Sequence, residues 1–401
     1  MSTVGKYTLV PFILILVMSG AELATDLYLP SLTVIADYYG TSDKIANLTL
    51  SLNLLGVAIA RPFYGFLCDC YGRRPVMIVG TVILLVSTLF CISPPTMTVL
   101  IMARFFQGIG EAVGWVVGLA ILRDIYSDRE SYTRVMSVMR AVMAVFPAVG
   151  PILGAWISHV WNWQATFVFM AAFSCFIVGM VVLKLPETLP VEKRHTFSVK
   201  SVAHNYWTIL SHWHFLGNVL ISALGFSGIW VFMSISPVLY VDQFDFTRRD
   251  FSYLLFLGVV AYILGSLYNR HFSKRFTAEQ FLTQGLLLLF VSAALLLITV
   301  FIDPVSPYLI RFFTAAYMGA MALVFTSTAL RALEVFPTMS GSASALMGGI
   351  EWMVATILML IGREFLDGRA ALAMSILIFM TTAACLVIYR SLEKKSARNL
   401  A

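Results

Sequence analysis

Twelve apolar runs, each long enough to cross a bilayer as a helix, decide what this chain can fold into. They span roughly 8–29, 45–67, 76–93, 98–122, 133–157, 164–184, 213–236, 251–270, 280–301, 307–330, 340–362 and 370–390. The composition agrees: 59% of residues are hydrophobic and 12% charged, against about 45–50% and 25% in soluble domains. The runs are too long for barrel strands. Their connections are short apart from one central stretch, and no segment remains for a soluble domain. The expected class is an all-α membrane protein with twelve transmembrane helices.

Basic residues set the expected orientation. With the N-terminus cytoplasmic, only Lys44, Arg248, Arg249, Arg363 and Arg369 fall in outer loops. Arg61, Arg104, Arg140 and Arg311 fall inside helices, and every other Lys and Arg lies on the inner side. Both termini are therefore expected in the cytoplasm. The net charge of +6 is accounted for by topology and lipid contact, and nucleic acid is not needed as a partner. The first run is too long for a cleaved leader, carries two carboxylates and is followed by no A-x-A site. Of five cysteines, Cys68 and Cys70 flank Asp69, but a lone C-x-C without a histidine is a poor metal site, so none is expected. Disulfides are not expected either.

The chain repeats itself. "RFF" begins at Arg104 in the fourth run and again at Arg311 in the tenth, 207 residues on and at the same depth. Small-residue patches at 150–154 and 341–349 fall in the fifth and eleventh runs and suit close helix packing. This implies two pseudo-symmetric six-helix bundles, 1–184 and 213–401, joined by a cytoplasmic linker at 185–212. Val199, Val202, Tyr206 and Ile209 recur at helical spacing within the linker and predict a short amphipathic helix lying on the membrane surface. Repeated bundles of this kind are a transporter plan, with substrate bound near the midplane.

Glu22 and Asp26 interrupt the first apolar run at i and i+4, on one helix face. Each costs roughly 2.5–3.5 kcal/mol at the centre of a membrane helix. Asp26 and Arg104 lie at comparable depth, so an ion pair between them is expected to offset both costs. Rocking of the halves that altered their separation would alter the carboxylate's proton affinity. Each proton moved inward brings about 2.3 kcal/mol per 100 mV and about 1.4 kcal/mol per pH unit.

The loop "GFLCDCYGRRPV" at 65–76 carries Gly65, Asp69, Gly72, Arg73 and Arg74. It resembles the signature loop of the major facilitator superfamily, and the twelve runs and two halves extend that resemblance over the whole chain. The resemblance implies that the loop latches the switch between inward and outward states. "RFFQGIGEAVG" is similar to the family's proton-coupling arginine motif, with Arg104, Gly108 and Glu111 on one face. "FPAVGPILGAW" carries Gly150, Pro151 and Gly154, the core of the family's antiporter motif, with Phe146 where a glycine is usual. "TDLYLPSL", "RD" at 123–124, "WNWQATF", "PET" at 186–188 and "SISPVLYV" narrow the resemblance to the Bcr/CflA drug–proton antiporters, whose helix-1 aspartate falls on Asp26. Arg61 stands where that family has glutamine. Arg140, Glu22, Glu111 and Glu351 are additions to its pattern.

The expectation is a proton-coupled exporter of small amphipathic compounds, monomeric, multi-pass and in the bacterial inner membrane. Its partners are substrate, protons and lipid, and it needs no cofactor beyond the proton gradient. Glu22, Asp26, Arg104, Glu111, Glu351 and Arg61 are the expected proton and substrate residues. Trp230 and Phe232 stand where they could line the cavity, although aromatics at such positions are more often packing. No H-E-x-x-H or G-x-S-x-G occurs, so no catalytic residues are assigned and an enzyme is not expected. A dedicated exporter of one siderophore or amino-acid derivative, or a proton-coupled importer, remains open on the same residues. Counting Glu22, Asp26, Glu111 and Glu351 against Arg61, Arg104, Arg140 and Arg311 gives a neutral cavity, which favours neutral or zwitterionic substrates over monocations.

Overall fold

A computed structural model describes residues 9–400, apart from 127, 144, 195–197, 303–304 and 337–338. No strand occurs among the described residues, and eleven of the described helical segments are long and apolar enough to cross a membrane. The chain divides into two compact units, Met1–Val202 and Ala203–Ala401.

The first unit begins with α1 (Val10–Asp26), a 3-10 turn at Leu29–Ser31 and the short α2 (Leu32–Tyr38). Proline chemistry explains the break. Pro30 has no N–H to return to the carbonyl of Asp26, four residues earlier, and its ring crowds that carbonyl. Next come α3 (Asp43–Tyr71), α4 (Arg73–Ile92) and α5 (Met97–Ile125). α5 is the centre of the unit and packs on α1, α3 and α4. The expected fifth span, 133–157, is instead two helices, α6 (Arg129–Met143) and α7 (Phe146–Val160). A proline is again responsible, since Pro147 cannot bond the Met143 carbonyl. α6 carries Arg129, Glu130, Arg134 and Arg140 among its 15 residues. α8 (Trp163–Lys184) closes the unit against α1 and α4.

In the second unit α10 (Trp213–Pro237) packs on α13 (Pro307–Leu333), α14 (Ser340–Gly362) and α15 (Leu366–Leu400). α11 (Arg248–Phe272) and α12 (Ala278–Thr299) pack on α13. At Pro237, α10 gives way to a π turn at Val238–Gln243. Pro237 follows Pro30 by the same 207 residues that separate Arg311 from Arg104, so the first helix of each unit is interrupted at equivalent places. Polar side chains start the long helices: Thr96, Asn162, Thr247, Thr277 and Ser306 each accept a backbone N–H at the head of α5, α8, α11, α12 and α13.

α9 (Val199–Leu210) is the expected linker helix. The C-terminal end of its apolar stripe packs on protein. Ile209 is fully buried against Phe215, Val219, Ala332 and Ala343, with Tyr206 and Leu210 beside it. Burying those groups against protein removes them from water as well as lipid would.

Candidate functional site

In the first unit, α1, α3, α4 and α5 meet around a polar network. Arg104 and Asn53 are wholly buried and Glu111 is 4% exposed, whereas Glu22 and Asp26 are half-buried. The indole N–H of Trp115 donates to Glu22 Oε1 at 3.1 Å, and the charge of Arg61, itself half-buried, acts on Glu22. Asn53 Nδ2 donates to Glu111 Oε1 at 2.9 Å and to the Arg104 carbonyl at 3.2 Å. Thr25 donates to Asn53 Oδ1 at 3.4 Å. Glu22 and Glu111 both lie within electrostatic reach of Asp26, so three carboxyl groups gather at the end of α1.

The expected Asp26–Arg104 ion pair is not formed. Arg104 Nη1 donates to the Ala24 carbonyl at 2.8 Å and to the Gln107 side chain. Its guanidinium carbon stands 4.1 Å from the centre of the Tyr28 ring, whose hydroxyl meets Thr49 at 3.1 Å. Gln107 in turn donates to Thr88 at 2.8 Å. The physical reason is azimuth. Ala24 and Asp26 are two residues apart, about 200° around the helix, and residues at i and i+2 do not share a face. Arg104 reaches the face of Ala24, while Asp26 is turned toward α7.

The antiporter motif lies on that second face. A Cβ on Gly150 would stand 2.7 Å from Asp26 Cβ, and one on Gly154 would overlap the Leu27 carbonyl. Both positions therefore need glycine for backbone contact between α7 and the end of α1. Pro151 lies inside α7 between them. Phe146, in place of the usual glycine, packs with Leu23, Ala24, Leu27 and Ile157.

The loop after α3 is tied down by charge. Gly65 lies within α3 and not in the turn as expected; Gly72, at φ +99°, makes the turn. Arg73 pairs with Asp69 through Nη1 and with Asp124 at 3.0 Å through Nε. Glu187 accepts the backbone N–H groups of Arg73 (3.0 Å), Arg74 (3.3 Å), Thr188 (2.9 Å) and Leu189 (2.9 Å). It thereby places a carboxylate at the N-terminus of α4. Thr188 donates to Asp124 at 3.0 Å, Arg74 to the Val182 carbonyl at 2.8 Å, and Arg194 lies 3.6 Å from Glu187. Asp124 and Glu187 were visible in the sequence as "RD" and "PET" but were not linked to the loop.

In the second unit, Arg311 is 1% exposed and donates to the carbonyls of Leu254 (2.6 Å) and Leu255 (2.8 Å) and to Thr314 (3.3 Å). Its guanidinium lies 5.0 Å from the Phe232 ring centre. It parallels Arg104 in placing a buried guanidinium on backbone carbonyl oxygen and beside an aromatic ring, Phe232 of α10 here and Tyr28, just past the end of α1, there. Glu351, 3% exposed, accepts from the Ser222 hydroxyl at 2.5 Å. The side chain of Arg140 lies outside the described residues. Arg104 Nε and Nη2 are buried without a hydrogen-bond partner, whereas Arg311 places Nε, Nη1 and Nη2 on the α11 carbonyls and Thr314. Among the described residues no three His, Cys, Asp or Glu side chains gather as a metal site.

A family model described as Major Facilitator Superfamily matches residues 14–360. The bicyclomycin resistance protein homolog of Haemophilus influenzae is 26% identical over 364 residues, 90% of this chain and 89% of its own. Multidrug resistance protein MdtL of Klebsiella pneumoniae is 32% identical over 276 residues, 68% of each chain. The crystal structure of the human organic anion transporter MFSD10 (TETRAN) shares the fold, with a TM-score of 0.73 at 17% identity over 96% of this chain and 98% of that one. The match of the family model over most of the sequence, on a fold of repeated helical units, makes this chain a member of the Major Facilitator Superfamily of membrane transporters.

Proposed function

We propose that this protein exports small amphipathic compounds in exchange for protons, as a monomer in the bacterial inner membrane with both termini in the cytoplasm. The observation that carries this reading is the group of carboxyls at the end of α1. Glu22 and Asp26 are half-buried within an otherwise apolar span, with Glu111 in electrostatic reach. Such groups are costly in a membrane and mark proton or substrate paths. The names of the relatives, bicyclomycin resistance and multidrug resistance, supply the substrate class.

In this reading Asp26, with Glu22 one turn away, binds the proton from outside. Its neutralisation relieves the repulsion among the three carboxyls. Substrate entering from the cytoplasm is favoured when the proton has left, which is antiport by alternating access. Asn53 and Trp115 hold Glu111 and Glu22 in place, and Arg104 braces α5 against α1. The proton gradient is the sole energy source, with no cofactor. The loop from Asp69 to Arg74, with Asp124 and Glu187, acts as the latch on the cytoplasmic side.

The test is a panel of amphipathic compounds screened in proteoliposomes under an imposed pH gradient. We expect pH-driven movement of some compounds by the wild type and none by Asp26→Asn. Equal movement by both would remove Asp26 from the coupling step, and movement insensitive to the gradient would remove proton coupling altogether.

A further inference from the structure

Glu351 lies halfway along α14, in the middle of an apolar span, and is 3% exposed. A charge at that depth is costly. The charged residues of the helices around it sit at their ends. α14 carries no other charged residue, α10 none apart from His214, and α15 none between Arg369 and Arg390. In α13, Arg311 near one end reaches the Leu254 and Leu255 carbonyls, and Arg331 near the other lies 2.8 Å from Glu393 of α15. Arg363 and Glu364, in the turn after α14, pair with each other at 3.0 Å. Of the uncharged titratable groups against α10, Tyr317 donates to the Gly225 carbonyl at 2.9 Å and Cys385 to the Ile221 carbonyl at 3.4 Å.

A polar column leads from Glu351 to the start of α10. The carboxyl accepts from the Ser222 hydroxyl at 2.5 Å. Asn218 and His214 follow Ser222 at four-residue intervals along one face of α10. The three positions cover about 12 Å of helix. Asn218 is wholly buried; its Nδ2 donates to the His214 carbonyl at 2.7 Å, and its Oδ1 accepts from no protein group. A buried acceptor of this kind is costly unless a water molecule donates to it. His214 is half-buried and within electrostatic reach of Arg331, His212, Glu393 and Glu334. Glu279 of α12 acts on Glu393, whose side chain is 34% exposed, so the column ends at a charged cluster that meets solvent.

We propose that Glu351 is a proton-binding carboxyl of the second unit, and that Ser222, a water held by Asn218, and His214 carry its proton to and from the end of α10 that the basic residues place in the cytoplasm. A hydroxyl both donates and accepts, so the Ser222–Glu351 hydrogen bond reverses when the carboxyl is protonated. Glu351 then gives its proton to Ser222 Oγ while Ser222 passes its own to the water. The water passes one to a ring nitrogen of His214, which releases it to solvent. Glu351 is left as carboxylate, and Ser222 and the water are unchanged. Residues four apart on a helix have Cβ atoms about 5–6 Å apart, a gap that one water spans. The inference rests on the proposed orientation and goes beyond the export reading, which uses the carboxyls of the first unit alone.

The experiment follows the carboxyl stretching band of protonated Glu351 by infrared difference spectroscopy, on the full chain in lipid nanodiscs. Glu351→Gln identifies the band by its loss. In the wild type the band is expected to disappear as the pH is raised and to return as it is lowered. After a pH jump, Ser222→Ala and Asn218→Leu are each expected to slow that response roughly tenfold, about 1.4 kcal/mol of barrier. Ser222→Thr, which keeps the hydroxyl, is expected to respond at the wild-type rate. Thermal unfolding of each variant checks that the fold is retained. Absence of a Glu351 band at every pH, a band that does not change with pH, or wild-type rates in folded Ser222→Ala and Asn218→Leu each overturns the proposal. Transport is measured separately: if no compound moves under a pH gradient, the export reading falls, while the infrared response still decides the role of Glu351.

Discussion

Gly150 lies directly against Asp26, and the contact leaves no room for a methyl group: a Cβ at position 150 would stand 2.7 Å from Asp26 Cβ. The motif around Pro151 thus meets the proposed coupling carboxylate through its smallest residue. Gly150→Ala should push α7 from α1, at a cost of about 1–3 kcal/mol of overpacking, and should change the pH profile of transport. Gly179→Ala, where an added Cβ meets nothing within 4 Å, serves as the control and should leave the profile unchanged. Equal profiles for both variants would separate the motif from coupling.

Asp26→Asn should stay folded, because Asp26 is half-buried and among the described residues makes no ion pair whose loss would strand a partner. We expect pH-driven efflux to fall at least tenfold while substrate-for-substrate exchange across the membrane persists. Loss of both activities in a folded variant would assign Asp26 to substrate binding.

Asn53 holds Glu111 at 2.9 Å in a fully enclosed setting. Asn53→Leu should cost about 1–3 kcal/mol, because it removes one of the donors that the buried Glu111 carboxyl uses. Adding Glu111→Leu should recover part of that loss. Thermal unfolding of the two single variants and the double variant reads this directly. Strictly additive losses would mean that the hydrogen bond contributes nothing.

The latch should depend more on Glu187 than on Asp69. Asp69 is 43% exposed at its side chain, and Arg73 keeps Asp124 when Asp69 is lost. Glu187 accepts four backbone N–H groups and lies near Arg194. Accessibility labelling should show a larger change in the inward:outward ratio for Glu187→Ala than for Asp69→Ala. The reverse order would place the switch on Asp69 alone.

What the sequence disclosed depended on the distance over which a contact is made. The Asp69–Arg73 pair joins the end of α3 to the start of α4 across the Gly72 turn, within the one loop that the sequence motif marks. The links of Arg73 to Asp124 and to Glu187 span 51 and 114 residues, and spacing along the chain carries no information about them. Asp26 was matched to Arg104 by depth alone. Depth counts residues from the helix end, but contact also requires azimuth, and Ala24 holds the position facing Arg104. The break of the fifth span was hidden for another reason. Averaging over an apolar run conceals a single Pro147, yet one missing N–H suffices to divide the helix. The repeat, by contrast, was undersold by its three letters: it recurs in Arg311 over Phe232 and Arg104 over Tyr28, and in Pro237 and Pro30.

Those two prolines have a mechanical consequence. A kink made by side-chain contacts can straighten when the contacts change, but Pro30 and Pro237 interrupt their helices through a covalent ring that no protonation or ligand can remove. The leading rod of each unit is therefore permanently jointed. Its joint is fixed in the covalent chain, and Asp26, the last residue of α1, sits beside it, where a bend changes the direction of the side chain while moving its backbone little.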